Sequence, residues 1–312
     1  MQISEINYAD NVGAVKSLWE DAFGRSLSEA QAEWFFCGPR KNLLYVAIAD
    51  NGDFAGMYCM LKHAMSTPFG QTICYLCNNV CSHPKYRDQN IFVKLGRYVN
   101  SGNMELTAVS IGFPNDKACP GHKRVGWSFH SPLAIYESPT YSEINYSEDY
   151  SFDLIADPVA TDLRNDKFLN CAESYYILKD ADYIRWRYVD RPVGDRAYYV
   201  FGVKFKMDNV GYVVISARGH TGYAHIVDLA CRDLGATGAA LNYAKFFAYK
   251  LGLKMINVLG SPHLAAPAEL SGFYPSESFN HLISQKYASG PGFDLLRHHQ
   301  KLNFVFGDND VY

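Results

Sequence analysis

The densest chemistry in this chain lies in one stretch, Val80-Cys81-Ser82-His83-Pro84-Lys85-Tyr86-Arg87-Asp88-Gln89-Asn90-Ile91-Phe92-Val93-Lys94-Leu95. An apolar run enters a short polar loop, and the loop opens an amphipathic run. Successive backbone N–H groups at such a helix start form a positive concavity that suits a pyrophosphate. Arg87 adds a charged donor. A second cluster, Cys74-x2-Cys77-x3-Cys81, offers soft ligands. A zinc site wants a fourth ligand at matching spacing, and the chain has no second CxxC. On an extended strand Cys77, Asn79 and Cys81 share one face while Cys74 points the other way. The thiols therefore read as small buried hydrophobes, and no metal is expected.

The elements around the loop follow from periodicity. Val12, Val15, Leu18, Trp19, Ala22 and Phe23 fall at helical spacing over 8–23, and a second helix is predicted over 28–36 with Ser28 as its N-cap. Leu43–Ala49 reads as a buried strand, and Asp50-Asn51-Gly52-Asp53 as a hairpin turn into a strand over 54–62. A strand over 73–81 precedes the loop, a helix over 91–100 follows it, and a strand over 106–112 exits through Phe113-Pro114-Asn115. The stretch 137–170, rich in Tyr, Ser, Asp and Pro, reads as a connection with one short helix near 158–165. Then a helix is predicted over 182–189 and a strand over 197–205. Asp208-Asn209 is expected to turn into a strand over 211–217. Strands over 225–229 and 254–259 bracket a helix over 239–251.

The two halves echo each other. Ile111-Gly112-Phe113-Pro114-Asn115 leads to Gly126-Trp127, and Leu259-Gly260-Ser261-Pro262-His263 leads to Gly272-Phe273. Each time a strand exits through Gly-x-Pro, a short helix follows, and a Gly-aromatic pair enters a final strand. This is the signature of a duplicated domain rather than a short-period solenoid.

Composition fits that reading. The 312 residues allow two domains, and 48% hydrophobic with 20% charged residues supports packed cores. The net charge of −3 gives no footprint for duplex nucleic acid. The longest clean apolar run, Leu43–Ala49, is too short to span a bilayer, and Met1-Gln2-Ile3-Ser4-Glu5 carries no secretory signal. A cytoplasmic protein is expected, its eight cysteines free. No membrane or nucleic-acid partner is expected.

Pro84-Lys85-Tyr86-Arg87-Asp88-Gln89-Asn90-Ile91-Phe92 resembles the acyl-CoA-binding motif of the GNAT N-acyltransferases, Pro-x-x-Arg-x-x-Gly-x-Gly/Ala between a strand and a helix. The element order α, α, β, β, β, α, β is also similar to that fold. Gly112-Phe113-Pro114-Asn115, Gly126-Trp127, Asp182-Tyr183-Ile184-Arg185-Trp186-Arg187-Tyr188 and Arg191-Pro192 resemble a bacterial subgroup with two GNAT domains in one chain. Members of that subgroup acylate amino sugars, often nucleotide-linked, for surface polysaccharides such as O-antigen. Two positions depart from the motif. Asn90 replaces the first glycine, and Asn is the residue after Gly best suited to positive φ. Phe92 stands where a small residue is usual, and is expected to turn into the core of its helix.

The resemblance implies an α/β fold of mixed sheets in two tandem GNAT domains: 1–145 binding acyl-CoA, 146–170 a linker, and 171–312 contributing the acceptor pocket. It implies acetyl-CoA or another short acyl-CoA, such as 3-hydroxybutanoyl-CoA, as co-substrate, and a dTDP-linked amino-deoxy sugar as acceptor. Asn79, Val80 and Cys81 would hold the pantetheine arm, and Arg87, Asp88, Gln89, Asn90, Ile91 and Phe92 the pyrophosphate. Within that frame the candidates for proton transfer or catalytic positioning are His63, Asn115 and Asp228, with Tyr136 as an acid for the thiolate. His225, Arg185 and Arg187 are candidates for acceptor binding. Each also has a plain structural reading: a satisfied histidine, a paired Asp228, and an interface helix with Trp186 buried and its arginines paired to Asp182 or Asp190. His83 is expected to serve the turn. Two alternatives keep the fold: a degenerate, non-enzymatic acyl-CoA sensor or interaction protein, and a tRNA-dependent aminoacyl transferase, which the −3 charge disfavours.

Overall fold

The computed structural model describes residues 1–101, 108–130, 133–143, 145–169, 174–192, 194, 196–218, 221–278, 282–286 and 301–308. The chain runs β1 (Gln2–Ile6), α1 (Val12–Phe23), α2 (Glu29–Phe36), β2 (Asn42–Ile48), β3 (Phe54–Thr67), β4 (Gly70–Ser82), α3 (Ile91–Asn100), β5 (Ala108–Gly112), α4 (Cys119–Val125) and β6 (Ser128–Phe129). It continues β7 (Ala134–Pro139), β8 (Tyr150–Leu154), β9 (Tyr176–Ile177), α5 (Ala181–Ile184), β10 (Ala197–Phe205), β11 (Asp208–Ala217), β12 (Tyr223–Cys231), α6 (Leu234–Lys250), β13 (Met255–Gly260), α7 (Pro262–Leu270), β14 (Tyr274–Ser278) and β15 (Ile283–Lys286).

Two units result. The first comprises 1–65, 69–131 and 280–299, and the second 66–68, 132–279 and 300–312. Their sheets have the same plan. One is ordered β1-β2-β3-β4-β5-β15-β6, the other β8-β10-β11-β12-β13-β7-β14. In each, one pair of strands is parallel, β4 with β5 and β12 with β13. The strand set between the fifth and last positions comes from the other half of the sequence: β15 lies between β5 and β6, and β7 between β13 and β14. The expected division at 145 therefore falls too late. Residues 134–139 belong to the second sheet and 283–286 to the first.

Local chemistry explains the elements. Ser28 caps α2 with a complete capping box, its hydroxyl accepting from the Gln31 amide. Alternation along β2 and β3 splits the first core: Leu44, Val46, Met57 and Cys59 meet Val15, Leu18, Trp19 and Phe36 of α1 and α2. Tyr45, Tyr58, Tyr75 and Cys77 meet Ile91, Val93, Leu95 and Val99 of α3. In the second unit the small Ala236, Ala240, Ala244 and Ala248 let α6 lie close on Val213, Ile215, Ile226 and Val258. The Gly-aromatic pairs end α4 and α7 alike. Gly126 and Gly272 take φ of 102° and 78°, and the next amides, of Trp127 and Phe273, donate back to His122 and Ala268 carbonyls. The aromatic rings are buried.

Several expectations are corrected. The 137–170 stretch carries β7 and β8, and its short helix is a 3₁₀ turn at Asn165–Lys167 rather than 158–165. Polar residues masked these strands: Glu137 and Ser138 sit in an interior strand, where Ser138 is fully buried. The hairpin between β10 and β11 turns at Lys206-Met207, with Lys206 at φ 58°, and Asp208 already pairs with Phe205. α6 begins at Leu234, five residues before the expected start, because Asp233 caps it ahead of two glycines that hide the helical pattern. Leu106 and Thr107, expected in a strand, lie outside the described residues. Among the described residues no helix is long and apolar enough to cross a membrane.

Candidate functional site

The first unit's parallel pair comes apart. β4 pairs with β5 from Ile73 with Ala108 to Cys77 with Gly112. β5 ends there, while β4 continues to Ser82. At the parting Asn79 adopts φ 46°, a left-handed kink that breaks the alternation of the strand. Asn78 and Asn79 are both buried, and Asn78 Oδ1 and Asn79 Nδ2 have no hydrogen-bond partner among the described residues. Buried polar atoms are nearly always satisfied, so this pair is suited to a polar ligand lying along β4. Gly56 on β3 allows the close approach beneath: a Cβ there would fall 2.8 Å from the Cys81 carbonyl and 2.6 Å from Ile91 Cγ2.

The loop after β4 folds as its residue types predict. His83 Nδ1 accepts from the Lys85 amide at 3.1 Å, so His83 shapes the turn. Residues Pro84–Gln89 form a 3₁₀ turn. Asn90 takes the left-handed conformation, φ 55° and ψ 34°, that the usual glycine would supply. No side chain caps α3, whose first helical bond runs from Lys94 N–H to the Asn90 carbonyl at 3.0 Å. Its N-terminal amides can therefore cradle an anion. Phe92 leaves that mouth. Its ring stacks edge-on to His122 at 4.9 Å and fills the space above Gly121, where a Cβ would lie 2.6 Å from the ring. Burial pushes the His122 imidazole down to about 4, so it is neutral at pH 7.

The structure spreads the sequence candidates unevenly. Asp88 and Gln89 are exposed in the loop, Ile91 is core, and Val80 is half-buried. Burial lifts the Cys81 thiol to about 12, so it is a neutral thiol near pH 7. Arg87 is exposed and donates to the Ala22 carbonyl at 3.3 Å. Arg124, unremarked in the sequence, donates to Asn90 Oδ1 at 3.0 Å from the end of α4. His63 is inside β3, 2% exposed, on the face of Met57 and Cys59. Asn115 closes the turn before α4, its Oδ1 accepting from the Ala118 amide at 3.0 Å.

The second-unit candidates have mainly structural partners. Asp228 is buried with both oxygens engaged: Lys179 Nζ at 3.0 Å, Tyr188 OH at 2.9 Å and its neighbour's Leu229 N–H at 2.9 Å. It cannot serve as an open base. Lys179 also pairs with Asp308 at 2.8 Å. His225 faces Asn257 Oδ1 at 2.6 Å, and burial lowers its pKa. Arg185 is exposed and paired with Asp190 at 3.3 Å and Asp157 at 3.9 Å. Arg187 is buried and donates to the Gly307 carbonyl at 3.3 Å. The expected helix is α5 with a π-helical turn at Arg185–Val189, and Trp186 is half-buried rather than buried. Tyr136 belongs to the second sheet and donates to Glu269 at 3.2 Å.

The second unit also parts its parallel strands, after Ile226 with Val258, with an irregularity at Val227. Here the chain fills its own gap. Gly307 lies so close that a Cβ would sit 2.8 Å from the Val227 carbonyl, and the Asp308–Lys179–Asp228 cluster pins the segment. At the start of α6 the Asp233 carboxylate accepts from the Ala236 amide at 2.8 Å. A negative charge thus stands where the first unit has open amides. Among the described residues no group of three or more His, Cys, Asp or Glu could hold a metal ion.

Neither a protein-family model nor any curated protein matches this sequence. Solved structures do. A GCN5-related N-acetyltransferase from Anabaena variabilis ATCC 29413 superposes with a TM-score of 0.69 at 13% identity, covering 92% of this chain and 73% of the other. A tandem GNAT protein of the clavulanic acid biosynthesis pathway gives 0.52 at 13% identity, over 93% and 99%. Saccharomyces cerevisiae N-myristoyltransferase with bound myristoyl-CoA gives 0.55 at 10% identity, over 97% and 89%. The paired sheets and these likenesses establish the fold as a tandem GNAT fold.

Proposed function

We propose that this chain is an acyl-CoA-dependent N-acyltransferase that takes its acyl-CoA in the first unit and acylates the amino group of a nucleotide-linked, dTDP-type amino-deoxy sugar. The observation that carries it is the parting of β4 from β5 at Asn78 and Asn79, where two buried polar atoms have no partner among the described residues, beside an uncapped α3. An amide-rich pantetheine arm would satisfy Asn78, Asn79 and the free edge of β4 over Val80 and Cys81. The diphosphate would lie on the amides of Ile91 and Phe92, near Arg124 and Arg87. The amine attacks the thioester carbonyl, the C–N bond forms, the C–S bond breaks, and the proton lost from nitrogen ends on the thiol. A β4 N–H facing the gap would hold the oxyanion, and alignment supplies much of the rate. The sugar acceptor rests on the resemblance carried by 112–115, 126–127 and 182–192.

The engaged state of Asp228 and Asn115 also favours a second reading, an acyl-CoA binder that does not turn over. Acetyl-CoA and 3-hydroxybutanoyl-CoA with a panel of dTDP-amino sugars separate the two when free thiol is followed. Thiol release that depends on the sugar is expected. Tight CoA binding by calorimetry with no release across the panel supports the sensor, and no CoA binding overturns both.

A further inference from the structure

The first unit packs α1 onto its sheet, burying Val15, Leu18 and Trp19. In the second unit the residues that follow β8, 155–169, form turns instead. The turns are pinned: Asp157 Oδ1 accepts from the Val159 amide at 3.0 Å, and Leu163 N–H reaches the Pro158 carbonyl at 2.9 Å. Buried Asn165 bridges onward, donating to the Ile177 carbonyl at 2.8 Å and accepting from the Lys179 amide at 2.9 Å. They stand off the sheet and leave a cavity of about 420 Å³. Ile155, Leu163 and Phe168 give it an apolar wall. Gly202 on β10 keeps it open, since a Cβ there would lie 3.2 Å from Ile155 Cδ1.

The rim is charged but unevenly matched. Lys204 pairs with Asp153 at 2.6 Å, and Lys167 pairs with Asp162. Arg232 is exposed, and among the described residues its ion-pair partner is Asp233 at 3.8 Å, with the other Asp233 oxygen held by the Ala236 amide. The guanidinium is thus the poorly compensated charge of the rim. We propose that this cavity is a second ligand site, for a small amphiphilic anion whose ring or short acyl body lies against Ile155, Leu163 and Phe168 and whose single acid group meets Arg232. Its volume is in the range of small-molecule pockets. An acid on a guanidinium is recognised by charge-assisted hydrogen bonds. Every residue involved belongs to the second unit, so the site stands apart from the acyl-CoA reading.

The probe is 8-anilinonaphthalene-1-sulfonate, an aromatic body with one sulfonate, titrated by fluorescence into the full chain. Saturable binding at one site is expected, undisturbed by excess CoA. Gly202→Leu, which fills the cavity, and Arg232→Glu, which reverses the rim charge, are each expected to weaken binding roughly tenfold or more. Wild-type affinity in either folded variant, or displacement by CoA, overturns the proposal. Should Gly202→Leu lose its circular dichroism signature, Arg232→Glu on the exposed rim decides alone.

Discussion

Arg124 Nη1 donates to Oδ1 of Asn90 at 3.0 Å, tying the last turn of α4 to the left-handed residue that opens α3. Their side chains meet at the mouth where the α3 amides face outward, so a cation stands beside those amides without blocking them. Arg87, the cation that the loop pattern favours, instead reaches back to Ala22.

On the proposed reading Arg124 is the stronger phosphate partner. Arg124→Ala is expected to cost about 1.5–3 kcal/mol of CoA binding, and Arg87→Ala less. Calorimetry with CoA ranks the two, and a larger loss for Arg87→Ala would reverse the assignment.

Asn90 itself is tested by backbone strain. Asn90→Val forces a β-branched residue to φ 55° and is expected to cost about 1–2 kcal/mol in urea unfolding. Asn90→Gly is expected to fold at least as stably as the parent. Equal stability of the two variants would contradict the left-handed turn.

Acid should weaken the first unit through His122. Its folded pKa, depressed to about 4 by burial, lies below the unfolded value, so its contribution is present above about pH 6.5 and is lost as pH falls toward 4. At pH 5 the loss is about 2 kcal/mol. His122→Leu should flatten the urea midpoint between pH 7 and 5, and an unchanged slope would assign the acid sensitivity elsewhere.

Alkali should act through the buried cluster of the second unit. Burial alone would lower the Lys179 pKa, but Asp228 and Asp308 outweigh it and hold the ammonium raised. Burial raises Tyr188 and Tyr212 as well. Folded pKa values above the unfolded ones mean stability that is intact below about pH 10 and lost as pH rises further. Urea midpoints should hold from pH 8 to 9.5 and drop steeply beyond. Lys179→Ala, which strands two buried carboxylates, is expected to cost about 3–5 kcal/mol at pH 8.

The self-filled gap at Val227 and the carboxylate cap on α6 predict one CoA per chain. Calorimetric titration should give a stoichiometry near one, and a value near two would show the second unit also open.

Much of this was legible in the sequence where local chemistry decides. Ser28 with Gln31, Gly126 and Gly272, and Asn90 in place of glycine each announce a backbone state through their own residue type. The loop from His83 to Phe92 was legible for the same reason. What escaped depends on partners far along the chain. Arg124 is distinguished only by meeting Asn90, and Asp228 is disarmed only because Lys179 and Asp308 arrive beside it. β7 was hidden because Glu137 and Ser138 look like loop residues until β13 and β14 flank them.

The placement of β15 has a consequence for how the chain is born. Gly112 must wait for Ile283, roughly 170 residues later, before β5 gains its outer neighbour, a delay of roughly 10–35 s at ordinary rates of translation. For that interval the emerging first half presents an unpaired strand edge next to the ribosome, the kind of surface that invites mispairing between nascent chains. Synthesis speed and chaperone supply should therefore affect how much of this protein is recovered folded.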